Sequence, residues 1–172
     1  TRLAEDLLVL ARLDEGRLRL RTSDVPAREL LEAVARRFDS RAAAEGRALE
    51  VEADPVSFPG DRLRLEQALG NLVDNALRHG KGTVRLAAEA RDGEVDLRVA
   101  DEGPGFADDV LPVAFERFTR EDEARGNGAS GLGLAIVDAI ARAHGGSAQA
   151  ANEPDGGAVV TLALPGKSGR TV

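Results

Sequence analysis

Leu3, Leu7, Leu10 and Leu13 recur at helical spacing and the pattern stops before Gly16, which predicts a short amphipathic helix at the start of the chain. Isolated helices under about 12–15 residues are marginal in water. This one therefore needs a partner face, either the domain behind it or a second chain. Leu18 to Ser23 alternates and reads as an edge strand. Pro26 opens a helix to about Gly46, with Leu30, Leu31, Val34, Ala35 and Phe38 as its apolar stripe. Leu49 and Val51 predict a strand, and Pro55 to Gly60 a turn. Asp61 is placed to cap a long helix ending near His79-Gly80. Thr83 to Ala90 and Glu94 to Ala100 predict a hairpin around Arg91-Asp92-Gly93. An irregular, glycine-rich stretch runs from Gly103 to Ser130, broken by a short helical piece near Val110–Phe115. Leu132 to His144 is helical, and Ser147–Asn152 with Ala158–Leu164 forms a closing hairpin across Pro154-Asp155-Gly156-Gly157. Lys167 onward carries no core signal and reads as a loose tail. The sum is an α/β fold, a two-layer sandwich whose mixed, mostly antiparallel sheet carries three main helices on one face.

Composition narrows the classes of function. The 172 residues suit one compact domain plus a short appendage, and 42% apolar content is enough to bury a core. A net charge of -7 argues against nucleic-acid and anionic-membrane partners, which select for a basic face. Arg36, Arg37, Arg41 and Arg47 cluster locally and read as a solvated face. The absence of cysteine excludes disulfides and thiolate metal sites and suits the cytoplasm. No apolar run reaches the roughly eighteen residues that span a bilayer. The chain starts in mid-pattern at Thr1, has no methionine and shows no signal-peptide grammar, so the expectation is a cytoplasmic piece of a longer protein that can itself be anchored in the inner membrane. Arginine greatly outnumbers lysine and alanine is abundant, as in GC-rich bacterial genomes.

Four segments carry candidate chemistry. Gln67, Asn71 and Asn75 are spaced i, i+4, i+8 and share one helix face, opposite Leu65, Leu69, Leu72, Val73 and Ala76. Amides beside an apolar stripe need partners. Magnesium suits them, because that cation takes oxygen ligands and only one or two from protein. Read alone, a plain exposed polar face is the favoured alternative. Asp101 follows a strand and precedes Gly103 and Gly105, where it can accept from an adenine amino group that small neighbours let approach. Taken alone, an ordinary Asp-Gly turn is the favoured alternative. Gly126-Asn127-Gly128-Ala129-Ser130-Gly131 matches G-x-G-x-x-G in form. The dinucleotide assignment fails, since no strand precedes it in a βαβ unit and no acidic residue follows at about 20 positions. The glycines lead instead into the helix at Leu132, whose open N–H groups can face phosphate oxygens. A flexible loop before a helix stands level with that reading. Phe106, Phe115 and Phe118 lie in the irregular stretch, either as a docking lid or as loop-base packing, with Arg117 and Arg120 beside them.

Together, Asn71-Leu72-Val73-Asp74-Asn75, Asp101-Glu102-Gly103-Pro104-Gly105, Phe115-Glu116-Arg117-Phe118 and Gly128-Ala129-Ser130-Gly131-Leu132-Gly133-Leu134 resemble the N box, first glycine box, phenylalanine box and second glycine box of the ATP-binding domain of bacterial two-component sensor histidine kinases, within the GHKL ATPase superfamily. The resemblance runs from about Val25 to Pro165. Ala11-Arg12-Leu13-Asp14-Glu15-Gly16 resembles the end of the family's second dimerisation helix. The implied division is 1–16 for the end of that helix and a linker, 17–165 for the catalytic ATP-binding domain, and 166–172 for a tail. The resemblance implies that Asn75 binds Mg²⁺ with support from Asn71. It implies that Asp101 reads adenine, with Gly103, Gly105, Phe106 and Thr161 around the base. Arg78 and His79 would line the ribose and phosphates, Phe118 and Arg120 would belong to a mobile ATP lid, and Gly131, Leu132, Gly133 and Leu134 would flank the triphosphate.

Two departures matter. Arg117 stands where the family usually has proline, which bears on how the lid docks. Related hydrolases and serine kinases carry a glutamate one turn before the metal-binding asparagine; here that position is Asn71, which cannot serve as a base. The implied activity is therefore transfer of the γ-phosphoryl of ATP to a histidine on a dimerisation domain, for relay to a response-regulator aspartate. Only His79 and His144 are present, and neither has the acceptor's context, so no catalytic residue is assigned within the chain. The implied partners are the dimerisation domain of the same protein and a response regulator, with no nucleic acid; the intact kinase would be a homodimer. Two rivals remain open: a regulator that sequesters a transcription factor and phosphorylates serine, and a non-catalytic pseudokinase scaffold.

Overall fold

Strand alternation sends one set of side chains to three helices and the other set away from them, and this sorting builds the molecule. The computed structural model describes residues 2–14, 19–118 and 131–167. The elements are α1 (Arg2–Asp14), β1 (Ser23–Pro26), α2 (Ala27–Ala44), β2 (Leu49–Ala53), β3 (Ser57–Gly60), α3 (Arg62–His79), β4 (Val84–Arg91), β5 (Glu94–Ala100), α4 (Gly133–Ala143), β6 (Ser147–Asn152) and β7 (Ala158–Pro165). A single 3₁₀ turn, Leu111–Val113, lies where a short helical piece is expected. Leu3 and Leu13 have side chains outside the described set. At the start of the expected tail Gly166 N donates to Gly93 O (2.8 Å) and Lys167 pairs with Asp24 (2.9 Å), and residues 168 onward lie outside the described residues.

The main sheet has five strands in the order β2-β4-β5-β7-β6. β2 runs parallel to β4 and every other pair is antiparallel. In register, Val95, Leu97 and Val99 of β5 meet Leu164, Leu162 and Val160 of β7, and all six are buried under the helices. The alternate residues face away from the helices. The β4–β5 turn has φ 48° at Asp92 and 85° at Gly93, the pair of positive values that a two-residue hairpin turn requires. α2, α3 and α4 all pack on the same face, with Leu30, Leu31, Leu65, Leu69, Leu132, Ile136 and Ile140 fully buried between them and the sheet. Each such side chain contributes roughly 1.5–3 kcal/mol by leaving water.

Two local expectations are corrected. The strand expected over Leu18 to Ser23 begins only at Ser23, with Leu18 outside the described residues, and Pro55 to Gly60 is not a simple turn. Ser23–Pro26 and Ser57–Gly60 pair instead as a separate two-stranded antiparallel ribbon. Val25 faces Phe58 in that register, and both are buried. Pro59 and Gly60 disfavour strands in general, and only the distant partner makes a strand here. For α1, the partner face is supplied in part by this chain: α1 packs on α4 with Leu10 buried, while Leu7 and Leu8 are 42% and 51% exposed.

Asp61 joins three segments. Its Oδ1 accepts from Arg64 N (3.2 Å), the expected N-cap of α3. Its Oδ2 accepts from Arg21 N (2.8 Å) in the segment that follows α1. Its own N–H donates to His144 Nε2 (2.9 Å), and His144 Nδ1 reaches Ile140 O (2.8 Å). His144 therefore pins the end of α4 to the start of α3, in the tautomer with its proton on Nδ1. Asp61→Ala removes the cap and strands the Arg21 N–H, so it should lower unfolding stability by roughly 1–3 kcal/mol in urea titrations. An unchanged midpoint would show that these bonds add nothing over water.

Candidate functional site

α3 ends against the loop after β5, and the approach is closer than side chains permit. A Cβ on Gly80 would lie 2.5 Å from Asp101 Oδ1, and one on Gly103 would lie 2.7 Å from Gly80 Cα. A Cβ on Gly157 would overlap the Asp101 carbonyl oxygen. These three glycines form a collar in which bare backbone surrounds one carboxylate. Gly80 is extended (φ -85°, ψ -177°), so it is glycine for room rather than for a left-handed helix cap. Asp101 is only 9% exposed. Its N–H donates to Ala158 O (3.0 Å) and its Oδ1 accepts from Gly103 N (2.7 Å). Among the described residues no donor reaches Oδ2, which leaves an oriented acceptor at the floor of the collar.

Arg47 and Glu102 brace the same place. Arg47 Nη1 donates to Ala76 O (2.9 Å) and Leu77 O (3.1 Å), and its Nε donates to Gly82 O (2.8 Å). A cation thus closes the carbonyl end of α3, where the helix dipole favours it. Glu102 accepts from Thr83 N (3.0 Å) and Arg85 Nη2 (2.8 Å), while its N–H donates to Lys81 O (2.9 Å). The reading of Arg41 and Arg47 as part of a solvated basic face is corrected. Arg41 bonds Asp74 and Glu45, and Arg47 grips α3, because each meets an acceptor about thirty residues away in sequence or a helix-turn neighbour.

Along α3, Asn71 and Asn75 lie one turn apart and are both half-buried. Asn71 Nδ2 reaches Gly133 O at 3.4 Å, which joins this face to the first residue of α4. Between them, Asp74 binds Arg41 and accepts from Arg78 Nε (3.0 Å). Arg78 and His79 close the helix beside Gly80. Among the described residues no three His, Cys, Asp or Glu side chains gather to hold a metal ion. A cation on this face would therefore rest on the Asn71 and Asn75 amide oxygens and on its ligand's own oxygens, a donor set that fits magnesium.

α4 starts without a side-chain cap at Leu132, and its first internal bond is Ile136 N to Leu132 O (2.9 Å). The N–H groups of Gly133, Leu134 and Ala135 precede that bond, and among the described residues no side chain caps them, which is the arrangement in which a helix start receives an anion. Leu132 itself is wholly buried and Leu134 packs on the core, so both offer backbone rather than side chain. Phe106 is likewise a core residue, 9% exposed. Phe118 is 55% exposed and left-handed (φ 58°), a strained position for an aromatic residue, with its N–H on Gly131 O (2.9 Å). Arg120 and the glycines at 126 and 128 lie outside the described residues.

Thr161 is corrected. It pairs with Arg98 and Gln149, on the face of the sheet turned away from the helices, because buried Val160 and Leu162 take the inner positions. Period-two alternation then excludes Thr161 from the collar, where Gly157 and Ala158 stand instead. Asn152 was not a sequence candidate, yet its Oδ1 accepts from Phe106 N (2.7 Å) and its Nδ2 donates to Phe106 O (2.9 Å). Nothing local marks the tertiary contacts of Asn152 or Arg47, and Gly80 reads locally only as a helix end; their partners lie far along the chain.

The family described as histidine kinase-, DNA gyrase B-, and HSP90-like ATPase matches residues 60–168. A probable sensor histidine kinase of Mycobacterium tuberculosis (strain CDC 1551 / Oshkosh) is 49% identical over 166 residues, 95% of this chain and 42% of that protein. The sensor histidine kinase component HK1 of Mycobacterium tuberculosis (strain ATCC 25618 / H37Rv) is 53% identical over 129 residues, 73% of this chain and 76% of that one. Full-length ShkA, solved in complex with AMPPNP, is similar at a TM-score of 0.86 and 34% identity, over 96% of this chain and 35% of that one. The chain thus spans less than half of the first relative's length.

The brace at Glu102 is testable without any ligand. The Thr83 N–H holds its carboxyl below the ordinary value of 4.5; desolvation opposes this, and the charges of Arg85 and then Arg47 reinforce it. A lowered folded value stabilises the fold above 4.5, and the contribution disappears as pH falls through that lowered value. The gap in urea midpoint between wild type and Glu102→Gln should therefore be open near neutral pH and close in acid. A gap that does not vary with pH would refute the ionic tie.

Proposed function

Since this chain belongs to the histidine kinase-, DNA gyrase B-, and HSP90-like ATPase family, as the ATP-binding domain of a sensor histidine kinase, we propose that it holds Mg²⁺ and ATP between α3, the Asp101 collar and the start of α4. From there it delivers the γ-phosphoryl group to a histidine outside this chain. The observation that carries the reading is the Asn71–Asn75 face, set against the uncapped start of α4 through the Asn71–Gly133 contact.

Each group has a distinct task in this proposal. Asn75, with Asn71, offers amide oxygens to Mg²⁺. The ion, when bound, neutralises charge on the phosphate oxygens. Asp101 Oδ2 accepts from the exocyclic amine of adenine, and the glycine collar lets the ring approach. Arg78, steadied by Asp74, and His79 lie at the ribose and phosphate side. The N–H groups of Gly133, Leu134 and Ala135 meet phosphate oxygens at the positive end of α4. Phe118, Gly131 and Arg120 belong to the lid segment.

Water is not activated on this face. Asn71 is an amide, and the neighbouring carboxylate, Asp74, is shared between Arg41 and Arg78. Bound ATP should then persist until a nucleophile arrives, which favours phosphotransfer over hydrolysis. We place 1–16 at the end of a dimerisation helix, 17–165 as the catalytic domain and 166–172 as a tail. A dimerisation domain of the same protein and a response regulator would be the partners, in a parent that is membrane-anchored or not. No described helix is long and apolar enough to cross a membrane.

Calorimetric titration with ATP, in Mg²⁺ and in EDTA, tests the proposal. Mg²⁺-dependent binding with slow turnover is expected. Rapid hydrolysis would move the chain to the hydrolase relatives, and no binding at millimolar ATP would refute the pocket. Asn75→Ala should abolish the Mg²⁺-dependent part of binding; wild-type affinity there would remove the metal assignment. Asp101→Asn should erode the preference for ATP over GTP by about tenfold or more, the scale of losing one oriented hydrogen bond to a base.

A further inference from the structure

We propose that Asn152 is a positioning residue for the nucleotide site, acting through the backbone of Phe106; the inference rests on the ATP-binding reading above. One amide side chain meets both polar groups of one residue: Phe106 N donates to Oδ1 (2.7 Å) and Nδ2 donates to Phe106 O (2.9 Å). This is the two-bond exchange of an antiparallel bridge, made by a side chain where no strand continues. Asn152 and Phe106 are 46 residues apart, so the contact is tertiary and owes nothing to local turn chemistry.

The clamp has a defined effect on Asp101. Asn152 is in register with Ala158, whose carbonyl accepts the Asp101 N–H (3.0 Å). Both ends of the Asp101–Phe106 segment are therefore fastened to the same β6–β7 hairpin. Between them, Gly103 N holds Asp101 Oδ1 (2.7 Å). Gly105 (φ +78°) is enclosed, since a Cβ there would lie 2.6 Å from Asn152 Oδ1 and 3.2 Å from Gly157 O. With Phe106 buried beyond it, the path from Asp101 to Phe106 has little freedom. Releasing Asn152 frees Gly105 and Gly103, and with them the direction of the carboxylate that reads the base. The same release loosens the root of the segment that leads toward Phe118.

The chemistry separates positioning from mere bulk. Asn152→Asp is isosteric and keeps an acceptor for Phe106 N, but it sets a second oxygen against Phe106 O. Asn152→Ala loses both bonds. The experiment is competitive titration of the 172-residue chain with MgATP and MgGTP, alongside thermal melting. We expect both variants to bind ATP at least about tenfold more weakly, with the preference for ATP over GTP reduced, since displacement by an ångström is worth up to a hundredfold in a tuned site. A general loss of stability would weaken both nucleotides alike and leave their ratio unchanged, which would overturn the inference. Wild-type affinity and preference in Asn152→Asp would overturn it as well. If the wild-type chain binds no ATP, the ATP-binding proposal fails first and this inference falls with it. Should a variant not fold, amide exchange in the wild type decides. A Phe106 N–H protected like those of β7 supports the clamp, and exchange at the rate of an open loop refutes it.

Discussion

Helix α3 is fixed at both ends by charge, and the rest of the site hangs from it. At its start, Asp61 takes the N–H groups of Arg64 and Arg21 while its own N–H holds His144. At its end, the Arg47 guanidinium takes the carbonyls of Ala76 and Leu77 and also that of Gly82. Between these clamps Leu65, Leu69, Leu72 and Val73 are buried against the sheet and the neighbouring helices. Apolar packing sets the distance of a helix from a sheet but resists sliding along the helix axis only weakly. Directed bonds at the two termini settle that coordinate. Asn71 and Asn75 thereby keep a defined height relative to α4, and Gly80 is delivered against Asp101.

The Asp101 end of the candidate site is built mainly from backbone. Gly80, Gly103 and Gly157 come so near Asp101 that any side chain on them would collide with it or with each other. Such an arrangement costs conformational entropy in the unfolded chain. It yields a buried carboxylate whose direction is set by Gly103 N and whose own N–H is tied to β7. The start of α4 uses the same economy, since its N–H groups meet no side-chain cap among the described residues. Charged side chains work around both ends as braces: Asp74 between Arg41 and Arg78, and Glu102 between Thr83 and Arg85.

Binding of ATP without hydrolysis is proposed from the site's own side chains rather than from membership of the ATPase family. The helix face offers amides where a general base would be required, and its carboxylate neighbour is neutralised by two arginines. Under the proposed function the domain keeps ATP intact until another domain presents an acceptor. α1 is consistent with that arrangement, since only part of its apolar surface is covered: Leu10 is buried, whereas Leu7 and Leu8 remain exposed.

Local physics in the chain determined most of the architecture. Apolar periods of 3.6 and 2 place α2, α3, α4 and the two hairpins within a residue or two, because burial on one face is written into neighbouring positions. The Asp61 cap and the Asp92-Gly93 turn were legible for the same reason: a cap and a tight turn need particular residues at fixed local offsets. The candidate segments around Asn75, Asp101 and Leu134 could be named because glycines and amides stood in conspicuous runs. What the tertiary structure alone decided involves partners remote in sequence. The parallel pairing of β2 with β4 and the β1–β3 ribbon through Pro59 depend on which strand arrives alongside, not on either strand's composition. Arg47 resembles any surface arginine until the end of α3 lies beside it, and Asn152 resembles any hairpin asparagine until Phe106 does. Thr161 is implied as a site residue only by the family resemblance, and strand register turns it to the face away from the helices. A hydrogen bond between distant residues leaves no periodic trace in either, so the sequence specifies these contacts only through the fold that brings them together.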